Sequence, residues 1–310
     1  MTLNPIPILS ICVATRNRPN DIVRCINSFE LLKQVEFEVI VLDDASEIPV
    51  ATYLFEKVDP DLTSKISLFR NEQNQGCPAA RNQMVKLAKA SYVLGIDDDA
   101  ELFDAASIEA AIQVLETDSR IGAIAFSQMT SERTLFPGQP SPQSYNCYNP
   151  WYIGYGHVLR RDIFVELGGY REIFVAYYEE AELCARMLDR GYYVVYLPDS
   201  IIVHHHSSVG RDPLKCLSNS YRNKCYAALY NQPLLLMLCT IPLHVLLYFW
   251  THQTLCYKRK KRLEKGPQWL VRELMTAARS IYLERKALRW STYYKLYKIK
   301  QNRPKYEGVA

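Results

Sequence analysis

The 310-residue chain is expected to be an α/β protein: a doubly wound, mostly parallel sheet with a Rossmann-like half, followed by a C-terminal helical extension suited to a membrane surface. Three observations predict this. Apolar strand-like runs alternate with helical patterns four times before residue 97. Two of those runs end abruptly in consecutive aspartates, Asp43-Asp44 and Asp97-Asp98-Asp99. The last quarter of the chain abandons the alternation for one long apolar run and a basic tail rich in Trp and Tyr.

Ile8 to Thr15 is a nearly continuous apolar strand, the pattern of a strand buried on both faces of a parallel sheet. Pro19 stands where a helix can start, and Ile22, Val23, Ile26, Phe29 and Leu32 follow at helical spacing. A second strand, Phe37 to Leu42, ends at Asp43-Asp44-Ala45-Ser46. Residues 48–57 are weakly helical, Lys65 to Phe69 forms a third strand, and Pro78 to Lys89 makes a helix. The strand Tyr92 to Ile96 then delivers the aspartate triplet. Such alternation gives right-handed crossovers, and ligands of doubly wound sheets bind beyond the carboxyl ends of the strands. That rule gathers Thr15, Asp43, Asp44 and Asp97 to Asp99 into one place.

Adjacent carboxylates repel and are costly to desolvate together, so a triplet at the mouth of a buried strand asks for a cation. Hard oxygen ligands suit Mn²⁺ or Mg²⁺, which commonly share their coordination sphere with substrate phosphates. Neither G-x-G-x-x-G after the first strand nor G-x-x-x-x-G-K-[ST] is present, which argues against a dinucleotide fingerprint and a P-loop. The formal charge of +4 hides an asymmetry: residues 257–310 hold 16 Lys and Arg against 4 Asp and Glu, and the remainder holds 21 against 29. An acidic body argues against nucleic acid as a partner. The nine cysteines are scattered without a C-x-x-C pair, the usage of reduced thiols in a cytosolic body.

Taken in order, Ser10-Ile-Cys-Val-Ala-Thr-Arg-Asn-Arg18, Val39-Ile-Val-Leu-Asp-Asp-Ala-Ser46, Asn74-Gln-Gly-Cys-Pro-Ala-Ala-Arg-Asn82 and the triplet resemble the nucleotide-sugar motifs of the family 2 glycosyltransferases, inverting enzymes of GT-A fold. The similarity continues through Gly156 to Tyr170, Tyr178 to Arg186 and Pro198 to His204, covering roughly residues 8–230. It implies a GT-A-like domain in which Thr15 lines the nucleotide pocket and Asp44 accepts from the imide N–H of a uracil or thymine base, so that UDP- or dTDP-linked sugars are the expected donors. Arg81 would sit near the base or phosphates. Asp97 and Asp98 become candidates for ribose and metal contacts, Asp99 the direct ligand of Mn²⁺ or Mg²⁺, and His204 the histidine that completes the metal site. His205 and His206 are expected to form a polar loop.

An inverting transfer needs a carboxylate to take the acceptor hydroxyl's proton. Relatives usually show Glu-Asp-x-Asp-Leu there, whereas this chain has Glu179-Glu180-Ala181-Glu182-Leu183. Alignment makes Glu180 the base, one methylene longer than usual, with Glu179 as the alternative. An acidic helix start favoured by the macrodipole also accounts for carboxylates at this point. Residues 130–155, rich in Pro, Tyr, Ser and Asn, are a candidate acceptor loop whose aromatic faces suit sugar rings.

Leu234 to Trp250 is almost uninterrupted apolar sequence, short for a bilayer span and broken by Pro242 and His244. Arg222 and Lys224 precede it and Lys258-Arg259-Lys260-Lys261-Arg262 follows, so positive charge flanks both ends and a hairpin or in-plane segment fits better than a single span. The helical stretch after Gln268 suits an anionic lipid surface. The expectation is therefore a glycosyltransferase domain over residues 1–230 and a basic, membrane-associated helical region over 231–310, at the cytoplasmic face. Its acceptor would be a glycan or a lipid-linked sugar. A catalytically degenerate scaffold of the same fold and a metal-dependent nucleotidyltransferase are the alternatives.

Overall fold

The computed structural model describes residues 7–136, 145–209, 212–259 and 266–308. Its elements run β1 (Leu9–Thr15), α1 (Pro19–Asn27), β2 (Phe37–Asp43), α2 (Ala51–Lys57), α3 (Pro60–Thr63), β3 (Ile66–Arg70), α4 (Cys77–Leu87), β4 (Tyr92–Ile96), β5 (Ala100–Leu102), α5 (Ala106–Thr117), β6 (Ile121–Met129), β7 (Cys147–Asn149) and β8 (Gly156–Arg160). They continue with α6 (Arg161–Glu166), α7 (Glu179–Arg190), β9 (Tyr193–His204), α8 (Pro213–Asn231), α9 (Leu234–Arg259), α10 (Pro267–Glu284) and α11 (Trp290–Asn302).

One sheet runs in the order β3-β2-β1-β4-β8-β6-β9-β5, with β7 on β9. The first half is parallel and doubly wound as expected, because helices return the chain between β1, β2, β3 and β4. Beyond β4 the sheet is mixed: β8 lies antiparallel between β4 and β6, and β5 and β7 lie antiparallel to β9. A reversed strand needs no crossover helix, so alternation of strand and helix could not announce it. Leu9, Ile11, Val13, Val39 and Val41 pack on one face with Ile22, Ile26 and Phe29, while Ile40, Leu42, Val93 and Leu159 face Met84, Val85, Leu183 and Met187 on the other. Each such fully buried aliphatic side chain contributes roughly 1.5–3 kcal/mol of transfer free energy.

The C-terminal helices fold back onto this body. Tyr226, Tyr230, Ala277 and Ile281 join α8 and α10 over Phe174, and Cys225, Tyr248 and Leu270 join α8, α9 and α10. Arg285 donates to the carbonyls of Leu229 and Gln232. Asp189 of α7 accepts from Thr292 Oγ1 of α11 (2.5 Å), and Tyr306 N donates to Asn146 O (2.8 Å). Of the expected acceptor loop, Pro137 and Gly138 lie outside the described residues. Two of its aromatics serve packing: Tyr152 is buried and stacked on His157, and Tyr148 packs on Tyr193 and Tyr306. Trp151 stays at the surface, 36% exposed.

Among the described residues one helix, α9, is long and apolar enough to cross a membrane. Leu234, Leu235, Leu238, Leu246 and Trp250 are all more than half exposed on it. Lys260, Lys261 and Arg262 of the expected basic run lie outside the described residues.

Candidate active site

The carboxyl ends of β1, β2 and β4 meet as expected, and their registers explain why. Thr15 pairs with Asp43 across β1 and β2, and Thr15 O accepts from Asp44 N at 2.9 Å. Asp43 is a structural residue, capping Ser46 N (2.8 Å) and Val50 N (3.1 Å) and pairing with Arg70. Asp44 accepts from Asn71 Nδ2 (2.8 Å), Gln75 N (3.0 Å) and Gly76 N (3.0 Å). It therefore holds the loop before α4 in place, and Oδ2, which among the described residues accepts only from Gly76 N, keeps acceptor capacity for a further donor.

The triplet divides its work by direction. Asp98 turns inward, accepting from Thr15 Oγ1 and pairing with Arg18 Nη1, both at 2.7 Å. Burial pushes its carboxyl up to about 6 against the pull of Arg18 and the Thr15 hydroxyl. Asp97 and Asp99 turn the other way, and with His204 they bring ligand atoms within 4.8 Å of one another. His204 reaches Asp99 because β5 and β9 pair His204 with Ala100, the residue after Asp99. Its Nε2 lies 3.2 Å from Asp99 Oδ1, and its Nδ1 faces Gln128 Nε2 at 3.2 Å, which fixes the ring. Asp99 Oδ2 also accepts from Ser207 N at 2.8 Å. Two carboxylates and an imidazole form a donor set that suits Mn²⁺, so these residues fit the expected ion. His206 contacts Gln128 and lies 3.9 Å, centroid to centroid, from His204. His205 Nε2 sits 3.3 Å from Glu101.

Arg81, on α4, is the hub between this cluster and α7. Its Nη2 pairs with Asp97 Oδ1 at 2.8 Å, and its Nη1 pairs with Glu180 Oε1 at 3.0 Å and Glu179 Oε1 at 3.3 Å. Gly154 lies so close that an added Cβ would stand 2.3 Å from Arg81 Nη2 and 2.5 Å from Glu180 Oε1. The two glutamates are in unlike surroundings. Glu179 is buried, its Oε2 has no hydrogen-bond partner, and burial followed by the Glu180 charge pushes it up to about 8. Glu180 is partly open to solvent. Glu182 is structural, bonded to Arg171 Nε, Arg186 and Asn231 Nδ2 at 2.7–2.8 Å.

The chain enters α7 through three non-glycine residues at positive φ: Val175 (62°), Tyr177 (72°) and Tyr178 (75°). Such conformations persist only where the surroundings over-determine them. Here Asn223 of α8, fully buried, donates through one amide to the carbonyls of Phe174 (2.9 Å), Ala176 (2.7 Å) and Tyr177 (2.6 Å). Arg18, Gln128, Gly154 and Asn223 were not singled out from the sequence. Arg18 alone left a signal, an arginine just past the end of β1; the others depend on pairings that composition does not reveal.

A chain from Haemophilus influenzae, described as an uncharacterized glycosyltransferase, is 30% identical over 136 residues, 43% of this chain and 44% of that relative. The putative colanic acid biosynthesis glycosyl transferase WcaA of Escherichia coli is 35% identical over 97 residues, 31% of this chain and 33% of its own. The N-acetylglucosaminyl-diphospho-decaprenol L-rhamnosyltransferase of Mycobacterium tuberculosis is 32% identical over 74 residues, 24% of each chain. Each match spans less than half of the relative's length. In fold, the chain is similar to the mannosyltransferase PcManGT of Pyrobaculum calidifontis, solved with GDP-Man and Mn²⁺ (TM-score 0.59, 16% identity, 94% of this chain and 79% of that one). It is equally similar to S. aureus TarS 1-349 in complex with UDP-GlcNAc (TM-score 0.59, 15% identity, 97% and 99%). Both likenesses mark a GT-A fold. The family model for glycosyl transferase family 2 matches residues 10–180, more than half of the sequence, and the chain belongs to that family.

Proposed function

We propose that this chain transfers a sugar, with inversion, from a nucleoside diphosphate donor to a hydroxyl of a glycan or lipid-linked acceptor, dependent on a divalent cation. The observation that carries the reading is the Arg81 bridge, which places Glu180 beside the Asp97, Asp99 and His204 cluster at the carboxyl ends of β1, β2 and β4. Thr15, Asp44 and Asp98 line the pocket for the nucleotide, with uracil or thymine as the base. Held by Asp97, Asp99 and His204, Mn²⁺ or Mg²⁺ would supply neutralising charge for the leaving diphosphate. Glu180 takes the proton of the acceptor hydroxyl as its oxygen bonds to the anomeric carbon and the bond to the diphosphate breaks. The burial of the unpartnered Glu179 oxygen supports Glu180 over Glu179 for that task. Arg81 aims Glu180, and Gly154 leaves the space for both.

Residues 1–230 form the transferase domain of this reading, and 231–310 attach it to the cytoplasmic face of an anionic membrane. The exposed leucines of α9 and the lysines of α11 support that attachment. Calorimetry of UDP and dTDP binding with and without Mn²⁺ tests the donor site. Asp99→Ala is expected to abolish the metal-dependent part of the affinity while circular dichroism stays unchanged; undiminished affinity would remove Asp99 from the metal site.

A further inference from the structure

The turn before α4 faces two ways. Gln75 N and Gly76 N donate to Asp44 Oδ1 and Oδ2, each at 3.0 Å, while the next amide, Cys77 N, donates to Val175 O at 3.0 Å. Three consecutive amides thus tie Asp44, the carboxylate proposed for the base, to Val175, the first of the positive-φ residues that lead into α7. Only glycine fits the middle position as it stands. Gly76 has a φ of 85°, and a Cβ added there would stand 2.7 Å from Val175 O and 3.0 Å from Val175 Cγ1.

From this turn the chain reaches Glu180 by two routes. Gly76 O accepts from Ala80 N at 3.0 Å and so opens α4, the helix that carries Arg81, whose guanidinium pairs with Glu180. Val175 leads through the bend to Tyr178, which directly precedes Glu179 and Glu180. A displacement of Gly76 is therefore felt at Glu180 from both sides.

The Gly76 amide also has a second acceptor at hand, Asn74 Oδ1 at 2.9 Å. An imide N–H that donates to Asp44 Oδ2 competes with Gly76 N for that oxygen, and the amide can then turn to Asn74. Because the backbones of Gly76 and Val175 touch, such a shift moves Val175 and the start of α4 with it. We infer that the turn 75–77 passes recognition of the base at Asp44 on to Glu180, with Gly76 as a positioning residue for the transfer. The base of the donor then governs the aim of the proton acceptor as well as affinity. The inference rests on the proposed nucleotide site and adds a coupling to it.

The test is hydrogen–deuterium exchange of the full chain with Mn²⁺ alone, with UDP added, and with inorganic diphosphate added. UDP should slow exchange at residues 71–77 and also at 175–181, the latter about tenfold, in the lower range of coupling between two sites. Diphosphate, which lacks the base, should leave residues 175–181 at the rate seen with Mn²⁺ alone. Gly76→Ala should still bind UDP, read by calorimetry, yet lose the slowing at 175–181; its melting temperature is the folding control. Asn74→Ala, at an exposed position, removes the second acceptor and should shrink the same signal while leaving the contact between Gly76 and Val175 in place. Equal slowing by UDP and diphosphate would route the coupling through the metal cluster and overturn the role of the turn, as would full slowing in either variant. UDP that binds without slowing 175–181 in the parent sinks this inference alone. UDP that fails to bind with Mn²⁺ sinks the donor site of the proposed function, and the coupling falls with it.

Discussion

Replacing Arg81 by methionine tests the hub directly. The guanidinium is buried and lies within 3.3 Å of three carboxylates, on Asp97, Glu179 and Glu180. Methionine fills a similar volume but leaves those carboxylates facing one another without a cation. Breaking a buried pair by removing one partner costs about 3–5 kcal/mol, and at roughly 2 °C per kcal/mol for a chain of this length the melting temperature should fall by about 6–10 °C. Measured above about pH 8, where Glu179 is ionised, adding Glu179→Gln should recover about 1–3 kcal/mol of that loss, because Glu179 is the most enclosed of the three and loses its charge without losing its shape. Differential scanning calorimetry of the parent, both single variants and the double variant closes the cycle. A loss below about 1 kcal/mol in Arg81→Met, or strict additivity with Glu179→Gln, would refute the hub.

Glu179 also sets a pH dependence. Its folded-state pKa lies above the ordinary glutamate value, so the folded state binds the extra proton, and the stabilisation is complete below about pH 4.5 and lost as pH rises through about 8. Stability should fall across that window by at most about 1.4 kcal/mol per pH unit, and Glu179→Gln should flatten the slope; a slope unchanged in the variant would count against the assignment. Glu180→Gln should keep donor and metal binding while transfer falls on the order of 10² to 10⁴-fold, and near-normal turnover would move the base elsewhere. Charging the exposed face of α9, as in Leu238→Glu with Leu246→Glu and Trp250→Glu, should shift the chain from the detergent-requiring to the soluble fraction at alkaline pH, since all three side chains are more than half exposed. Retention in the membrane fraction would show that another surface anchors it.

The donor half was legible because burial on both faces writes itself into a strand as a run of apolar residues, and the carboxylates that follow such runs stand out. β1, β2 and β4 fall within a residue or two of their expected bounds, and α4 and β3 are displaced by only one or two residues. The antiparallel half was not legible, since β8 is short and its neighbours in the sheet are distant in sequence. The triplet's register was open in the sequence, because three identical residues differ only in which way successive side chains point. Pairing of β5 with β9 settles that direction, and no local pattern encodes it. The return of α10 and α11 to the body was also hidden. Trp290 and Tyr297 are exposed, but Leu270 and Ile281 of α10 and Thr292 and Ile299 of α11 are buried against other elements.

Asn223 gives the tail a say in what the head does. Its amide is the common anchor for three carbonyls of the bend that aims Glu180, yet it belongs to α8, whose other side packs on α9. In the proposed reading, the helix that faces lipid and the group that accepts the proton are therefore parts of one lever. A rotation of α8 by a fraction of a turn would carry Asn223 out of reach of all three carbonyls at once, and with it Arg222, whose Nη2 donates to Phe174 O at 2.9 Å. On that reading attachment to a surface and readiness for transfer would be set at the same pivot, and an enzyme freed from its support would be expected to lose aim before it loses its fold.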